Sequence, residues 1–334
     1  MVTSAGGELA LLRTIRTRAA GAVTSRMRLG IGDDCALLRP KSGEELAVTT
    51  DLSIEGRHFR LDWHPAQSVG HRALARGLSD LAAMGARPVA AFLSLGLPRK
   101  LTIPDRKTQA WVDRFLDGLL ALAAEHRVPL AGGDLAESPL AVADIVLTGA
   151  VPQGTALLRS GAHPGDRIYV TGSLGGAAAE LAALAKTPKR FAKATTSAPT
   201  SPHLYPQPRI AQGLWLRKHG VASAAMDLSD GLSTDLDHLC EESAVAAEVD
   251  AALLPISPGA SLAMALTGGE DYELLFTAPA SAKFPHRIAE VAITAIGHIV
   301  PAMPRRPRVS LLSDGKLQPL QPQGWEHFSA AAKP

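Results

Sequence analysis

Apolar residues recur at two different periods along the first half of the chain. Leu46-Ala47-Val48-Thr49-Thr50 is apolar and β-branched, ends at Asp51, and predicts a strand. From Pro65 to Met84 the apolar positions fall three and four residues apart, and Gly85 and Pro88 end the pattern, which predicts a helix. Val89 to Leu97 is continuously apolar and predicts a buried strand. Pro104 to Arg127 carries Trp111, Phe115, Leu119 and Leu122 at helical spacing and predicts a second long helix. Pro129 to Ala131 then leads into a Gly-Gly-Asp turn, and Ala141 to Val151 predicts another strand. Glu8 to Ala19 predicts a first helix.

The pattern changes near residue 152. A strand over Arg167 to Thr171 is followed by a glycine-rich turn, Gly172 to Gly176, and an Ala-rich helix to about Lys186. Thr195 to Pro208 is rich in Pro, Ser and Thr and predicts a mobile loop. Arg209 to His219 predicts a helix, as does Gly231 to Ser243, and the Pro-rich tail beyond Gly297 predicts short strands. Strands alternating with helices make an α/β protein. The expected organisation is two domains, 1–151 and 152–334, with no repeat of 20 to 50 residues.

Composition narrows the function classes. The chain has 334 residues, 46% hydrophobic and 20% charged, with only 4% aromatic, so Ala, Leu and Val fill the core. A formal net charge of +2 gives neither a nucleic-acid nor a membrane footprint. Two cysteines far apart, Cys35 and Cys240, suit a reducing compartment and neither a disulfide scaffold nor zinc. No apolar run of about 18 residues and no signal-peptide core is visible, so a cytoplasmic protein is expected.

The chemistry lies in six short acidic motifs. They are Gly32-Asp33-Asp34, Thr49-Thr50-Asp51, Leu78-Ser79-Asp80-Leu81, Gly132-Gly133-Asp134, Asp227-Leu228-Ser229-Asp230-Gly231 and Gly268-Gly269-Glu270-Asp271. Carboxylates set among glycines and hydroxyls suit hard, oxygen-seeking cations such as Mg²⁺, and several of them point to phosphoryl chemistry on a nucleotide. Asp80 lies on the helical stripe of Val69, Ala73, Gly77 and Met84, where an unpaired carboxylate would cost several kcal/mol, so a cation or a hydrogen-bonding partner is required. Asp33 and Asp34 are adjacent and point to opposite sides of extended backbone. Asp227 and Asp230 share a face only if their turn is helical, and Ser229 either caps the following helix or donates to a phosphate. The Gly172 to Gly176 turn lacks a full phosphate-binding pattern and is mostly structural. His58, seven residues after Asp51, is within reach of the same pocket or is simply structural, and Arg159 either pairs with a phosphate or is solvated. No P-loop and no protein-kinase catalytic loop is present.

Taken together, these blocks resemble the thiamine-monophosphate kinases. The match adds His58-Phe59, Leu81-Ala82-Ala83-Met84-Gly85-Ala86, Arg159-Ser160-Gly161, Pro164-Gly165-Asp166, Pro206-Gln207-Pro208-Arg209 and Tyr272-Glu273-Leu274, and spans nearly the whole chain. The resemblance implies a two-domain fold shared with aminoimidazole ribonucleotide synthetase. Its N-terminal domain, a mixed sheet with helices, binds ATP and Mg²⁺ and dimerises, and its C-terminal α/β domain completes the substrate site. It implies Mg²⁺ ligands at Asp34, Thr49, Thr50, Asp51, Asp80, Asp134, Asp227 and Asp230. It implies ATP contacts at Gly133, Asp134, Arg159 and Ser229, and thiamine monophosphate contacts at His58, Glu270 and Trp325.

Gly77 and Leu135 depart from the family's pattern, where Asn and Thr are common, and remove polar groups beside the nucleotide without removing a proposed metal acid. The acceptor that the resemblance implies is already an ionised phosphate, so direct γ-phosphoryl transfer would need positioning and charge neutralisation rather than a general base. A sister ATP-dependent synthetase, or a module that binds nucleotide without turnover, would share the same general layout.

Overall fold

The computed structural model describes residues 8–20, 24–31, 35–104, 109–187 and 201–325. The chain divides into two compact units. One comprises Met1–Leu81, Arg87–Gln153 and Leu184–Thr200; the other comprises Ala82–Ala86, Gly154–Ala183 and Ser201–Pro334.

The first unit opens with helix α1 (Glu8–Ala19) and a short antiparallel pair, β1 (Met27–Leu29) with β2 (Leu37–Leu38). Its main sheet holds β3 (Glu44–Ile54), β4 (Arg87–Leu97), β5 (Leu130–Glu137) and β6 (Val142–Pro152) in the order β3-β6-β4-β5. Only β4 and β5 run parallel. Side-chain alternation buries Ala143, Ile145 and Leu147 of β6 with Leu93 and Leu95 of β4 on one face. Helix α2 (Ala66–Ala83) covers that face: a Cβ added at Gly77 would lie 2.4 Å from Leu147 Cδ1 and 3.6 Å from Thr49 Cγ2. The opposite face leaves Leu46, Val48 and Leu52 of β3 at 44%, 62% and 46% exposure.

Helix α3 (Trp111–Glu125) crosses α2 at two glycines. A Cβ at Gly70 would sit 1.9 Å from the Phe115 carbonyl oxygen, and one at Gly118 would sit 1.8 Å from that of Gln67. This backbone-to-backbone approach lets Phe115, Leu116, Leu119 and Leu122 bury completely. The helix is shorter than the periodicity predicted. It starts at Trp111 behind Ala110, with a 3₁₀ turn at Arg99–Thr102, and 105–108 fall outside the described residues. Gly132-Gly133-Asp134 is also not a turn: it lies inside β5, opposite Phe92, Leu93 and Ser94. Gly133 takes φ +149°, and a Cβ there would meet the Leu93 carbonyl oxygen at 1.9 Å, so the strand passes only because that position is glycine.

The second unit is an eight-stranded sheet: β7 (Asp166–Thr171), β8 (Ala224–Asp227), β9 (Val245–Asp250), β10 (Leu274–Pro279), β11 (Arg287–Ile288), β12 (Val291–Pro301), β13 (Val309–Ser313) and β14 (Lys316–Pro319). The order is β14-β13-β9-β12-β7-β10-β8, with β11 on β12; only β13 and β9 pair in parallel. Its helices are α4 (Gly176–Lys186), α5 (Ile210–His219), α6 (Leu232–Glu242) and α7 (Leu262–Thr267). Ile168 and Val170 of β7 join Leu236, Leu239 and Cys240 of α6 in one core. On the other face Tyr169 packs on Phe276 and Phe284, with ring centroids 5.2 and 4.8 Å apart.

The stretch expected as a mobile loop divides. Residues 195–200 lie outside the described residues, whereas 201–208 are packed, with Ser201, His203, Leu204 and Tyr205 buried. The cause is a long-range partner. The Glu180 carboxylate on α4 accepts from Ser201 Oγ and from the backbone N–H groups of His203 (2.7 Å) and Leu204 (3.3 Å).

The α2–α3 crossing has a direct test. Gly118→Ala forces a methyl group onto the Gln67 carbonyl and is expected to lower the unfolding free energy by about 1–3 kcal/mol, the scale of overpacking. Urea denaturation followed by circular dichroism would measure it, and an unchanged midpoint would disprove the close crossing.

Candidate active site

In the first unit, three of the expected residues converge on the helix-covered face of the sheet. Thr49 and Asp51 are two apart on β3 and so share a side. Asp80 on α2 accepts a hydrogen bond from the Thr49 hydroxyl. The Thr49 side chain is thus one partner that its apolar stripe demands. Asp51 Oδ1 lies 3.0 Å from Arg76 Nη2. Burial pushes the Asp51 carboxyl up to about 6; Arg76 opposes the shift, and the nearby charges of Asp80 and Asp144 add to it.

This arrangement fits a hard divalent cation. The donors are all oxygen, and a carboxyl raised by burial and like charge is one that a cation would hold ionised. Among the described residues no three acidic, His or Cys side chains close on one point. A Mg²⁺ here would take its remaining ligands from water and phosphate, its usual habit. Asp34, with Gly32 and Asp33, lies outside the described residues.

Thr50 and Asp134, of the expected first-unit set, lie on the opposite face. Leu52, Asp144, Ser94 and Asp134 are directly opposite one another across β3, β6, β4 and β5, and Thr50 shares their side. The Thr50 hydroxyl and the Asp134 carboxylate are therefore separated from the Thr49–Asp51–Asp80 group by the sheet. The period-two rule could have separated Thr50 from Asp51 at once. Asp134 needed the register.

His58 sits in the turn that follows β3. Its Nδ1 accepts from the Ile54 N–H at 3.1 Å, which leaves the proton on Nε2. It lines a small cavity with Ser53, Phe59, Val69, Arg72 and Arg76. Arg76 borders this cavity and also pairs with Asp51, so His58 and the acidic group are neighbours.

In the second unit, Asp227 ends β8 and is 3% exposed, while Ser229 and Asp230 occupy the bend before α6. That bend is not helical, and Ser229 does not cap α6. The cap position is Gly231, and Asp235 reaches back to accept the N–H groups of Asp230 and Gly231 at 3.1 and 3.0 Å. Asp235 was not singled out in the sequence, although its place four residues after Gly231 was the available signal. Burial, then Asp227 and Asp230, hold its carboxyl well above the ordinary range.

The Gly-Gly-Glu-Asp-Tyr-Glu block runs beside this bend. Glu270 N–H donates to Ser229 O (2.8 Å), Tyr272 N–H to Leu228 O (2.9 Å), and Trp325 N–H to Asp230 O (3.1 Å). Ser229, Asp230, Glu270 and Trp325 therefore gather in one place, and the Trp325 side chain is half exposed. The anion position at the start of α4 is already filled. Asp271 accepts from Gly175 and Ala177 N–H at 2.6 and 3.1 Å, which makes the Gly172 to Gly176 turn structural. Glu273 is clamped by Arg209 through two bonds of 2.6 and 2.5 Å and by Thr171 Oγ1 at 2.6 Å. Arg159 is exposed, its carbonyl held by Ser243 Oγ at 2.9 Å.

Residues 32–152 match the AIR synthase related protein N-terminal domain, and residues 163–304 match the corresponding C-terminal domain. The chain is 41% identical to thiamine-monophosphate kinase of Escherichia coli K12 over 91% of its own length and 93% of that protein's. The crystal structure of thiamine-monophosphate kinase from Stenotrophomonas maltophilia K279a superposes with a TM-score of 0.77 at 39% identity, over 93% of this chain and 98% of that one. AaThiL complexed with AMPPCP and TMP gives a TM-score of 0.72 at 30% identity, over 98% and 100%.

The chain belongs to the thiamine-monophosphate kinase family. The two-domain fold shared with aminoimidazole ribonucleotide synthetase, expected from the motifs, is therefore established. In this thiamine-monophosphate kinase family member, Gly77 packs against Leu147 and the Thr49 methyl group, and a Cβ there would lie 2.4 Å from Leu147 Cδ1.

Asp271 gives a pH prediction. Burial raises its folded value to about 7, against about 3.9 for an unfolded Asp. The unfolded chain therefore releases this proton first, so stability contributed by Asp271 is present below about pH 4 and is lost as pH rises through about 7. Asp271→Asn should flatten the fall in unfolding free energy between pH 4 and 7, measured by denaturant titration at several pH values. An identical slope in the variant would refute the assignment.

Proposed function

We propose that this protein transfers the γ-phosphoryl group of ATP directly to thiamine monophosphate, giving thiamine diphosphate and ADP, the last step of thiamine diphosphate formation, in the cytoplasm. The Thr49–Asp51–Asp80 group carries the reading, because it concentrates oxygen ligands where a polyanion's counter-ions are needed. Its relatives named thiamine-monophosphate kinase supply the acceptor. No helix among the described residues is long and apolar enough to cross a membrane.

The obstacle to the reaction is electrostatic. Two unit charges about 4 Å apart repel by roughly 4 kcal/mol at an effective dielectric near 20, and two phosphate chains bring several such pairs together. Bound Mg²⁺ supplies the neutralisation that lets the phosphates approach in line. Asp34, Asp51, Asp80, Asp134, Asp227 and Asp230, with Thr49 and Thr50, would hold the ions. Thr49 orients Asp80 through its hydroxyl. Gly133, Asp134, Arg159 and Ser229 would receive the nucleotide. Glu270 and His58 would orient the acceptor, and the exposed Trp325 indole would stack on a thiamine ring. No residue need take a proton, since the attacking phosphate oxygen is already ionised.

We further propose a homodimer through the first unit. Leu46, Val48 and Leu52 expose a row of apolar side chains along β3 on the face opposite α2, beyond the part that Met27 and Leu38 cover, and a second copy of the same row would bury them. Val48→Glu is expected to shift the protein to monomer in sedimentation velocity. A wild-type monomer, or an unaffected dimer, would rule out that face.

The decisive assay mixes the protein with Mg-ATP and thiamine monophosphate and separates the products by chromatography. Equal amounts of thiamine diphosphate and ADP, abolished by EDTA, are expected. Asp80→Asn, which keeps volume and removes charge, should lower the rate by orders of magnitude while the fold survives. ADP without thiamine diphosphate would point to a sister synthetase instead, and near-normal turnover in the variant would remove Asp80 from the metal set.

A further inference from the structure

The Glu270 carboxylate is held by a residue outside every acidic motif. His203 is 2% exposed, and its Nδ1 lies 3.1 Å from Glu270 Oε2. The Glu270 side chain keeps about a quarter of its surface open, so the carboxylate is fixed from behind and accessible in front.

Both sides of this contact are built from helix α4. Glu180 accepts from Ser201 Oγ and from the His203 and Leu204 N–H groups, which sets the turn that carries the imidazole. The start of the same helix binds the Asp271 carboxylate through Gly175 and Ala177, which sets the segment carrying Glu270. That segment is strained: Glu270 and Tyr272 both have positive φ, +67° and +50°. Non-glycine residues hold such angles only where their surroundings over-determine them, and such strain concentrates at functional sites. A buried imidazole set against a carboxylate that keeps a quarter of its surface open, with separate anchors for each partner, is more than a fold requires.

We propose that His203 is a positioning residue for the acceptor. Its imidazole holds Glu270 through the 3.1 Å contact of Nδ1 with Oε2 and so orients the carboxylate toward thiamine monophosphate. This rests on the reading of Glu270 as an acceptor contact. The imidazole does not touch the reacting atoms and exchanges no proton with them. Its contribution is to remove rotamer freedom from Glu270 before substrate arrives.

The test uses the full chain and steady-state kinetics with each substrate varied in turn. His203→Ala should raise KM for thiamine monophosphate on the order of tenfold, the scale of freeing one side chain, while KM for ATP stays within about twofold. His203→Asn places a polar amide nitrogen close to where Nδ1 stood, keeps the contact with Oε2, and should restore most of the loss. Calorimetric binding of thiamine monophosphate should show the same order without turnover. In the Glu270→Gln background, His203→Ala should add little, because the carboxylate it holds is gone.

Wild-type turnover separates this inference from the reading beneath it. If wild type makes no thiamine diphosphate, there is no such acceptor and both fall. If wild type turns over and Glu270→Gln raises KM for thiamine monophosphate, while His203→Ala does not, only the role of His203 is overturned. Equal losses for both substrates, or a lowered melting temperature with no rescue by Asn, would show a merely structural histidine. Should the Ala variant fail to fold, the Asn variant decides: near-wild-type KM for both substrates supports the proposal, and a uniform loss rejects it.

Discussion

A carboxylate removed from water must find charge or hydrogen bonds nearby, and this chain buries several. Without compensation each would cost several kcal/mol. The compensation differs from site to site. Glu273 has a two-bonded arginine and a threonine hydroxyl, a fully matched charge pair. Asp235 and Asp271 each receive two backbone N–H groups and remain raised by burial. Asp51 has one arginine against its own burial and two neighbouring acids. The first is a clasp, the next two are turn and helix anchors, and negative charge accumulates where acids meet acids, at Asp51 with Asp80 and Asp144 and at Asp235 with Asp227 and Asp230. A group with surplus negative charge and oxygen donors is where a divalent cation would lower the free energy most.

The elements with strong local periodicity were legible in the sequence. Helix α1, helix α2 and strand β4 lie where the apolar pattern predicted, because each buries a face whose spacing is written in consecutive residues. The acidic motifs were legible too, since acids among glycines and hydroxyls are conspicuous. What was not legible depends on partners distant in sequence. Nothing local places Ser94 between Asp144 and Asp134, or makes Gly132-Gly133-Asp134 a strand; both follow from the register of β4 with its neighbours. The polar composition of 201–208 suggested a solvated loop, yet one carboxylate, Glu180, some twenty residues earlier, packs it. Asp235 and His203 escaped attention because neither sits in a motif. Their significance lies in which oxygen or N–H they meet.

The strained segment at Glu270 to Tyr272 ties these strands together. Each residue at positive φ costs of order 1–3 kcal/mol, so two such residues need offsetting. The offsets are on either side. Tyr272 is buried and donates to Leu228, Glu270 donates to Ser229, and the intervening Asp271 carboxylate sits on the first turn of α4. Asp271 and Tyr272 point into the protein, while the left-handed turn at Glu270 leaves its carboxylate with an open side. The same backbone that anchors one acid thus presents the next. An enzyme that transfers phosphoryl groups between two anions has no base to position. Its specificity for the acceptor would then draw on contacts to the cationic ring of that molecule, and Glu270 and Trp325, whose backbone N–H groups meet the neighbouring carbonyls of Ser229 and Asp230, would suit that part.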